Sequence, residues 1–388
     1  MTVDSAPTPG PLNPPAAGAP PAADLADPAE LRVSPLELFF DLVFVFTVTQ
    51  LTDSLAHHLG AAGLARVLVM LAVIWWMYDA FIWLTNAMPP TTHPRRGLLL
   101  LGMGGFLVIS LSVPHAFEGS GVAFGWAYLL VVAVHTGLFA AAGVEFGPVL
   151  RMGLLNLVGA ALVVAGGYLQ GTVQLLLWML AFGLQFAIPY LVDLPSFRLR
   201  SGHFVERHGL VIIIAFGESV IAIGVGAGDT DLTGTLVATA MLTLGVCVAL
   251  WWAYFGREDD EHAVRFMAGL DDARRNHLAV RIYNLGHYAL LLGVILFAAG
   301  AKTAVAHPTG TLGTAEAGAL AAGVTLFLAA NTAIRRTLGL TPLLPRLTAA
   351  VLAAATVPLG TGVCALAQVA AVLAVLAAAL AHEELRPA

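Results

Sequence analysis

The sequence predicts an all-α polytopic integral membrane protein of about twelve transmembrane helices, arranged as two parallel six-helix repeats. Three observations carry this. The chain of 388 residues is 59% hydrophobic and 11% charged, with mean hydropathy +0.85, too little charge to cover a water-facing surface of that size. Its apolar residues fall in runs of about 18–25, the length that crosses about 30 Å of hydrocarbon. When those runs alternate direction, sixteen of the eighteen Lys and Arg residues lie on one side, leaving only Arg66 and Lys302 on the other.

Residues 1–33 are rich in Pro and Ala, lack aromatics and are expected to form a disordered tail with no signal-peptide pattern. Spans are then expected near 36–58, 62–87, 97–113, 121–142, 150–168 and 172–192, a first membrane half within 34–193. A linker follows at 194–203. The second half, 204–382, carries runs near 204–228, 233–255, 276–300, 313–333, 341–360 and 362–381, and 383–388 form a short tail. The third run is short and the last two are separated only by Gly360-Thr-Gly362, so ten or eleven spans are the alternatives. Because Lys and Arg accumulate in cytoplasmic loops, both termini are expected in the cytoplasm. The repeat rests on Trp75-Trp76-Met77-Tyr78 near the end of span 2 and Trp251-Trp252-Ala253-Tyr254 in span 8, 176 positions later. Spans 1 and 7 align at a similar offset, Glu37 against Glu206 and Gln50 near Ser219, and parallel repeats of this kind occur in transporters.

The net charge of −6 spread over short loops offers no basic face for nucleic acid, so the bilayer and an ion or small solute are the expected partners. Cys247 and Cys364 sit in apolar runs and exclude a disulfide framework or a multi-cysteine metal site. His203 and His208 are five apart, about 140° around a helix, the wrong geometry for two ligands on one face. Gly224-x-Gly226-x-Gly228 lacks the Lys-Ser/Thr of a phosphate loop. No cofactor, no metal, no catalytic residues and no enzymatic activity are therefore expected.

The chemistry lies in the ionisable groups within the spans. An ionised group at bilayer depth costs roughly 2.5–3.5 kcal/mol on insertion scales and usually has a partner, a water-filled cavity or a proton to carry. Glu37 and Asp41, four apart, share a face of span 1. Span 7 opens with His203-Phe-Val-Glu206-Arg207-His208 and carries Glu218-Ser219 at its middle. Arg207 and Glu218 share a face but stand about 16 Å apart along it, so they cannot pair. Asp79 of span 2 and the stripe His277, Arg281, Asn284 and Tyr288 of span 9 lie at the depth of Glu37. A single cluster is expected in which Arg207 and Arg281 neutralise some of Glu37, Asp41, Asp79 and Glu206, with a proton or cation balancing the rest.

Two runs, Pro35-Leu-Glu37-Leu-Phe-Phe-Asp41-Leu-Val-Phe and His203-Phe-Val-Glu206-Arg207-His208 continuing to Phe-Gly217-Glu218-Ser219, resemble the bacterial low temperature requirement A family. The resemblance covers residues ~33 to 385. It implies a multi-span protein of the bacterial plasma membrane linked to growth in the cold, and carries no catalytic residues over. A partial resemblance to potassium channels with a Phe-Ser-Asp signature rests on Phe39-Phe40-Asp41; Phe40 replaces the Ser, and span 7 lacks the motif. The reading is a proton- or ion-coupled secondary transporter of unknown solute and oligomeric state, with Glu37, Asp41, Gln50, Asp79, Glu206, Arg207, His208, Glu218, Ser219, Arg281 and Asn284 along its pathway. The alternatives are a cation channel lined by span 1 and a non-transporting protein that supports the envelope in the cold.

Overall fold

Ser34 starts the first helix by a reciprocal cap. Glu37 N–H donates to Ser34 Oγ (3.4 Å), while Ser34 N–H and Oγ–H donate to Glu37 Oε2 (3.0 and 2.8 Å). With Pro35 in the first turn, this is a capping box, and α1 runs Pro35–His57. The computed structural model describes residues 33–141, 146–191, 199–228 and 231–385. The first half continues with α2 (Ala61–Ala87), α3 (His93–Ser112), α4 (Gly121–Ala140), α5 (Phe146–Gly167) and α6 (Gly171–Leu191). The second comprises α7 (Ser201–Ala227), α8 (Gly234–Phe255), the short α9 (Asp259–Ala268) and α10 (Asp272–Ala279), a π-helical segment Val280–Gly286, α11 (His287–Ala306), α12 (Thr314–Thr337), α13 (Leu344–Ala354), α14 (Val357–Gly362) and α15 (Ala365–Glu384).

Each expected run carries helix among the described residues. Among the described residues eleven helical stretches are long and apolar enough to span a bilayer, and α5, 22 residues long, lies at the remaining expected run, 150–168. Span 9 is one continuous stretch, Asp272–Ala306, and span 11 is α13 plus α14. The expected 1–33 tail lies outside the described residues except Val33, as do 194–198 of the expected linker. The last helix continues through Glu383 rather than ending before it, because Arg346 Nε and Nη2 hold the Glu383 carboxylate at 3.0–3.1 Å. Arg346 also donates to Ala253 O (2.7 Å) and to Asn331 Oδ1, so one buried guanidinium joins α8, α12, α13 and α15.

The two ends of the spans separate as alternation requires. Contacts such as Asn86 to Arg200, Arg346 to Glu383 and Arg335 to Asp259 gather at an arginine-rich end. Lys302 to Asp53, Arg66 over the Phe117 ring and Gln174 to Ala116 O gather at the other.

Packing follows a pattern. In the first half α1 packs on α2 and α3, then α3 on α4, α4 on α5 and α5 on α6, which returns to α2. In the second, α7 packs on α8 and α11, α11 on α12, α12 on α13, and α13 and α14 on α15, which returns to α8. The halves meet where α1 packs on both α7 and α11. Buried residues make up 83% of the apolar window of α2 and 78% of that of Asp272–Ala306, against 28% for α6 and α15. Helices apolar on all sides take the centre, and α2 and α11 are those helices. Glycines let α11 and α12 touch backbone to backbone: a Cβ on Gly323 would stand 2.3 Å from Phe297 N and 2.6 Å from Gly293 O, the close approach small residues permit between membrane helices.

Candidate functional site

The seam between α1 and α7 carries polar groups at two depths. At the arginine-rich end, Glu37 and Asp41 on one turn face His203 and Arg207 on the other. His203 Nε2 lies 3.1 Å from Glu37 Oε1, and Arg207 Nη2 lies 2.7 Å from Asp41 Oδ1. Further along, Thr49 meets Glu218. Residue numbers rise together on both helices through these three contacts, so α1 and α7 run parallel, as six intervening spans demand.

α2 and the π-helical segment complete the inner cluster. Tyr78 O–H donates to Asp41 Oδ1, its ring stacked on Phe44 at 3.9 Å. Asp79 Oδ2 accepts from Asn284 Nδ2 (2.8 Å), and its Oδ1 faces His208 Nε2 at 2.9 Å. Trp75 Nε1–H donates to the Asn284 carbonyl (2.8 Å), tying α2 to the π turn. The six side chains Glu37, Asp41, Asp79, His203, Arg207 and His208 are all buried.

Hydrogen-bond accounting locates a proton here. His208 Nδ1 faces the Phe204 carbonyl at 2.9 Å, which only accepts, and Nε2 faces a carboxylate oxygen. Both contacts are satisfied together when the His208–Asp79 pair holds one proton more than a neutral imidazole beside a carboxylate. At the second depth Thr49 Oγ1 contacts both Val45 O (3.2 Å) and Glu218 Oε2. A hydroxyl has one proton, so the two contacts are satisfied together when Glu218 carries the acid proton. Beside them Lys302 Nζ of α11 binds Asp53 Oδ1 at 2.7 Å.

The inner cluster is not a closed salt-bridge network. Arg207 Nε and Nη1 and Asp41 Oδ2 are buried without a hydrogen-bond partner among the described residues. An unmet buried polar group costs about 1–3 kcal/mol. Between the two depths α1 buries Phe44 and Val48, Phe44 packing on Trp75 and Tyr78, while Thr47 bonds Ser110 of α3 (2.6 Å).

Two expected members are elsewhere. Glu206 is exposed, because the face α7 turns to α1 is that of His203 and Arg207, and its neighbour points about 100° away. Arg281 is exposed as well. Its stripe with Asn284 assumed 100° per residue, but the π-helical segment adds a residue to the turn, and only Asn284 is carried to Asp79. Gln50 is half-buried, and Ser219 is buried. Sequence reasoning missed His203, although its four-residue spacing from Arg207 mirrors that of Glu37 and Asp41. It missed Tyr78 and the Lys302–Asp53 pair, and read Glu37 without the Ser34-x-x-Glu37 capping signature.

The model of the bacterial low temperature requirement A protein family (LtrA) matches residues 32–381. The chain belongs to that family. A curated relative, the uncharacterized protein RA0937 of Rhizobium meliloti (strain 1021), is 29% identical over 319 residues, covering 77% of this chain and 76% of its own. No solved structure matches. Both polar depths of this LtrA chain lie within the matched segment, and Glu383 lies just past its end.

Proposed function

We propose that this LtrA protein is a proton-coupled secondary transporter of the bacterial plasma membrane, its arginine-rich end and both termini in the cytoplasm. The observation that carries the reading is a pair of buried polar sites at two depths, Asp79–His208 between α2 and α7 and Thr49–Glu218 between α1 and α7, with buried Phe44 and Val48 of α1 between them. Alternating access needs groups that take up and release a proton and an apolar barrier that a movement of one half against the other can open. A channel lined by α1 needs a continuous polar path, and Phe44 stacked on Tyr78 interrupts it. The unmet donors of Arg207 weigh against a purely structural cluster, since buried ion pairs persist when their remaining groups are satisfied. The matching order of helix neighbours in the two halves supports the parallel duplication expected from the Trp-Trp motifs.

Proteoliposomes holding a pH-sensitive dye test the reading. Wild-type protein should dissipate an imposed pH gradient when candidate ions and solutes are supplied. Glu218→Gln keeps side-chain size and should abolish the response while leaving folded protein in the membrane. Wild-type response in that variant removes Glu218 from the path, and no response from the wild type to any solute class removes the transporter reading.

A further inference from the structure

Beside Asp79, α2, α4, α5, α6 and the π-helical segment line a half-open cavity of about 60 Å³. Trp76, Trp83 and Phe139 supply aromatic wall, and Asp79, His135 and Asn156 supply polar atoms. Three of the donors along this wall are committed. Trp76 Nε1–H goes to Asn156 Oδ1 (3.1 Å), His135 Nε2 faces Ala80 O (3.1 Å), and Asn284 Nδ2–H goes to Asp79. No Lys or Arg lines it among the described residues. What faces the interior is a carboxylate, the Asn156 amide and indole and phenyl surface; the carboxylate and the ring faces attract positive charge on an apolar body.

We infer that this cavity binds a small organic ammonium ion, its charge on Asp79 and its carbons against Trp76 and Trp83. The inference rests on the transporter reading and names its substrate class. Exchange follows from the proton on Asp79–His208. When the ammonium ion settles on Asp79, its charge replaces that proton, which leaves to solution, and the charge of the site is unchanged. One cation is thereby exchanged for one proton. The groups facing the pair do not supply a competing cation. His287 of α11 stands 5.1 Å from the His208 ring and Tyr283 4.8 Å, and His287 accepts from Tyr254 of α8 while its Nδ1 donates to Ile282 O. His135 faces the cavity from α4 with its Nε2 on a carbonyl, and Arg207, next to His208 in α7, is turned to Asp41.

Calorimetric titration of the full chain in detergent tests this with ethylammonium, and with ethanol, acetate and potassium chloride as size-matched neutral, anionic and inorganic controls. Ethylammonium should bind saturably and release about one proton per cation, counted by repeating the titration in buffers of different ionisation enthalpy. The controls should show no saturable heat. Asp79→Asn should weaken binding more than 10-fold, and Trp83→Leu, at the half-buried rim, by about 3- to 10-fold. Should Asp79→Asn misfold, the Trp83→Leu result and the proton count still decide. No saturable ethylammonium binding, equal binding of ethanol or potassium, or no proton release overturns the inference. Binding is read without transport, so the two readings fail separately. Gradient-driven flux without ethylammonium binding sinks only the cation site, and binding without flux sinks only transport.

Discussion

Replacing Asp41 by Asn should be among the most damaging single changes in the inner cluster, and the reason is arithmetic on one guanidinium. Arg207 Nη2 sits 2.7 Å from Asp41 Oδ1, both side chains about 1% exposed. Its Nε and Nη1 have no hydrogen-bond partner among the described residues. Asp41→Asn therefore leaves a buried cation without its contact carboxylate, a loss of about 3–5 kcal/mol. Arg207→Met strands Asp41 instead, but a carboxyl can neutralise itself by binding a proton and a guanidinium cannot, so that variant should cost less. In Asp41→Asn combined with Arg207→Met neither charge of the pair is left, the introduced amide oxygen can still accept the Tyr78 hydroxyl, and stability should return to within about 1–2 kcal/mol of wild type. Unfolding by SDS titration of the protein in mixed micelles, followed by far-UV circular dichroism, measures all four corners of the cycle. If Asp41→Asn costs less than about 1 kcal/mol, or if the double variant is less stable than either single one, the pair is not what neutralises Arg207.

Three further outcomes are expected. Glu383→Ala should lower unfolding stability by about 3–5 kcal/mol by stranding Arg346, whereas exposed Glu384→Ala should stay within about 0.5 kcal/mol; equal effects would show that Arg346 does not hold α15. Gly323→Ala forces a Cβ against the α11 backbone and should cost about 1–3 kcal/mol or more, while Gly318→Ala on the same helix, with nothing within 4 Å of the added carbon, should be neutral or stabilising in the same assay. Reporter fusions after Met88 and Arg257 should report the cytoplasm and fusions after Gly228 and Lys302 the outside; two reversals would break the alternation on which the sidedness rests.

The spans were legible because one number governs them. Hydrocarbon thickness sets the length of an apolar run whatever its neighbours are, so even the broken stretch of α13 and α14 could be read before its break at Ala355-Thr356 was visible. The site was legible only to the level of a helix face. Four-residue spacing put Glu37 with Asp41, and burial cost singled out Asp79, Arg207 and Glu218, but spacing does not fix how far α7 is rotated about its own axis. That rotation decides whether Glu206 or His203 meets Glu37. Span 9 shows the same gap from another cause. Arg281 and Asn284 share a face only at 3.6 residues per turn, and the π-helical segment is set by Trp75 and Asp79 of α2 holding Asn284, partners some two hundred positions away. The irregular turn is thus a consequence of the site it serves. α2 takes both the carbonyl and the amide of Asn284, which fixes Asp79 between Asn284 and His208 and leaves Arg281 outside. A regular helix through Val280–Gly286 would rotate the segments on either side of it against each other and could not keep Asn284 on Asp79 with both flanking segments in place. Local irregularity and the Asp79–His208 pair therefore stand or fall together, and neither could be read from helical periodicity alone.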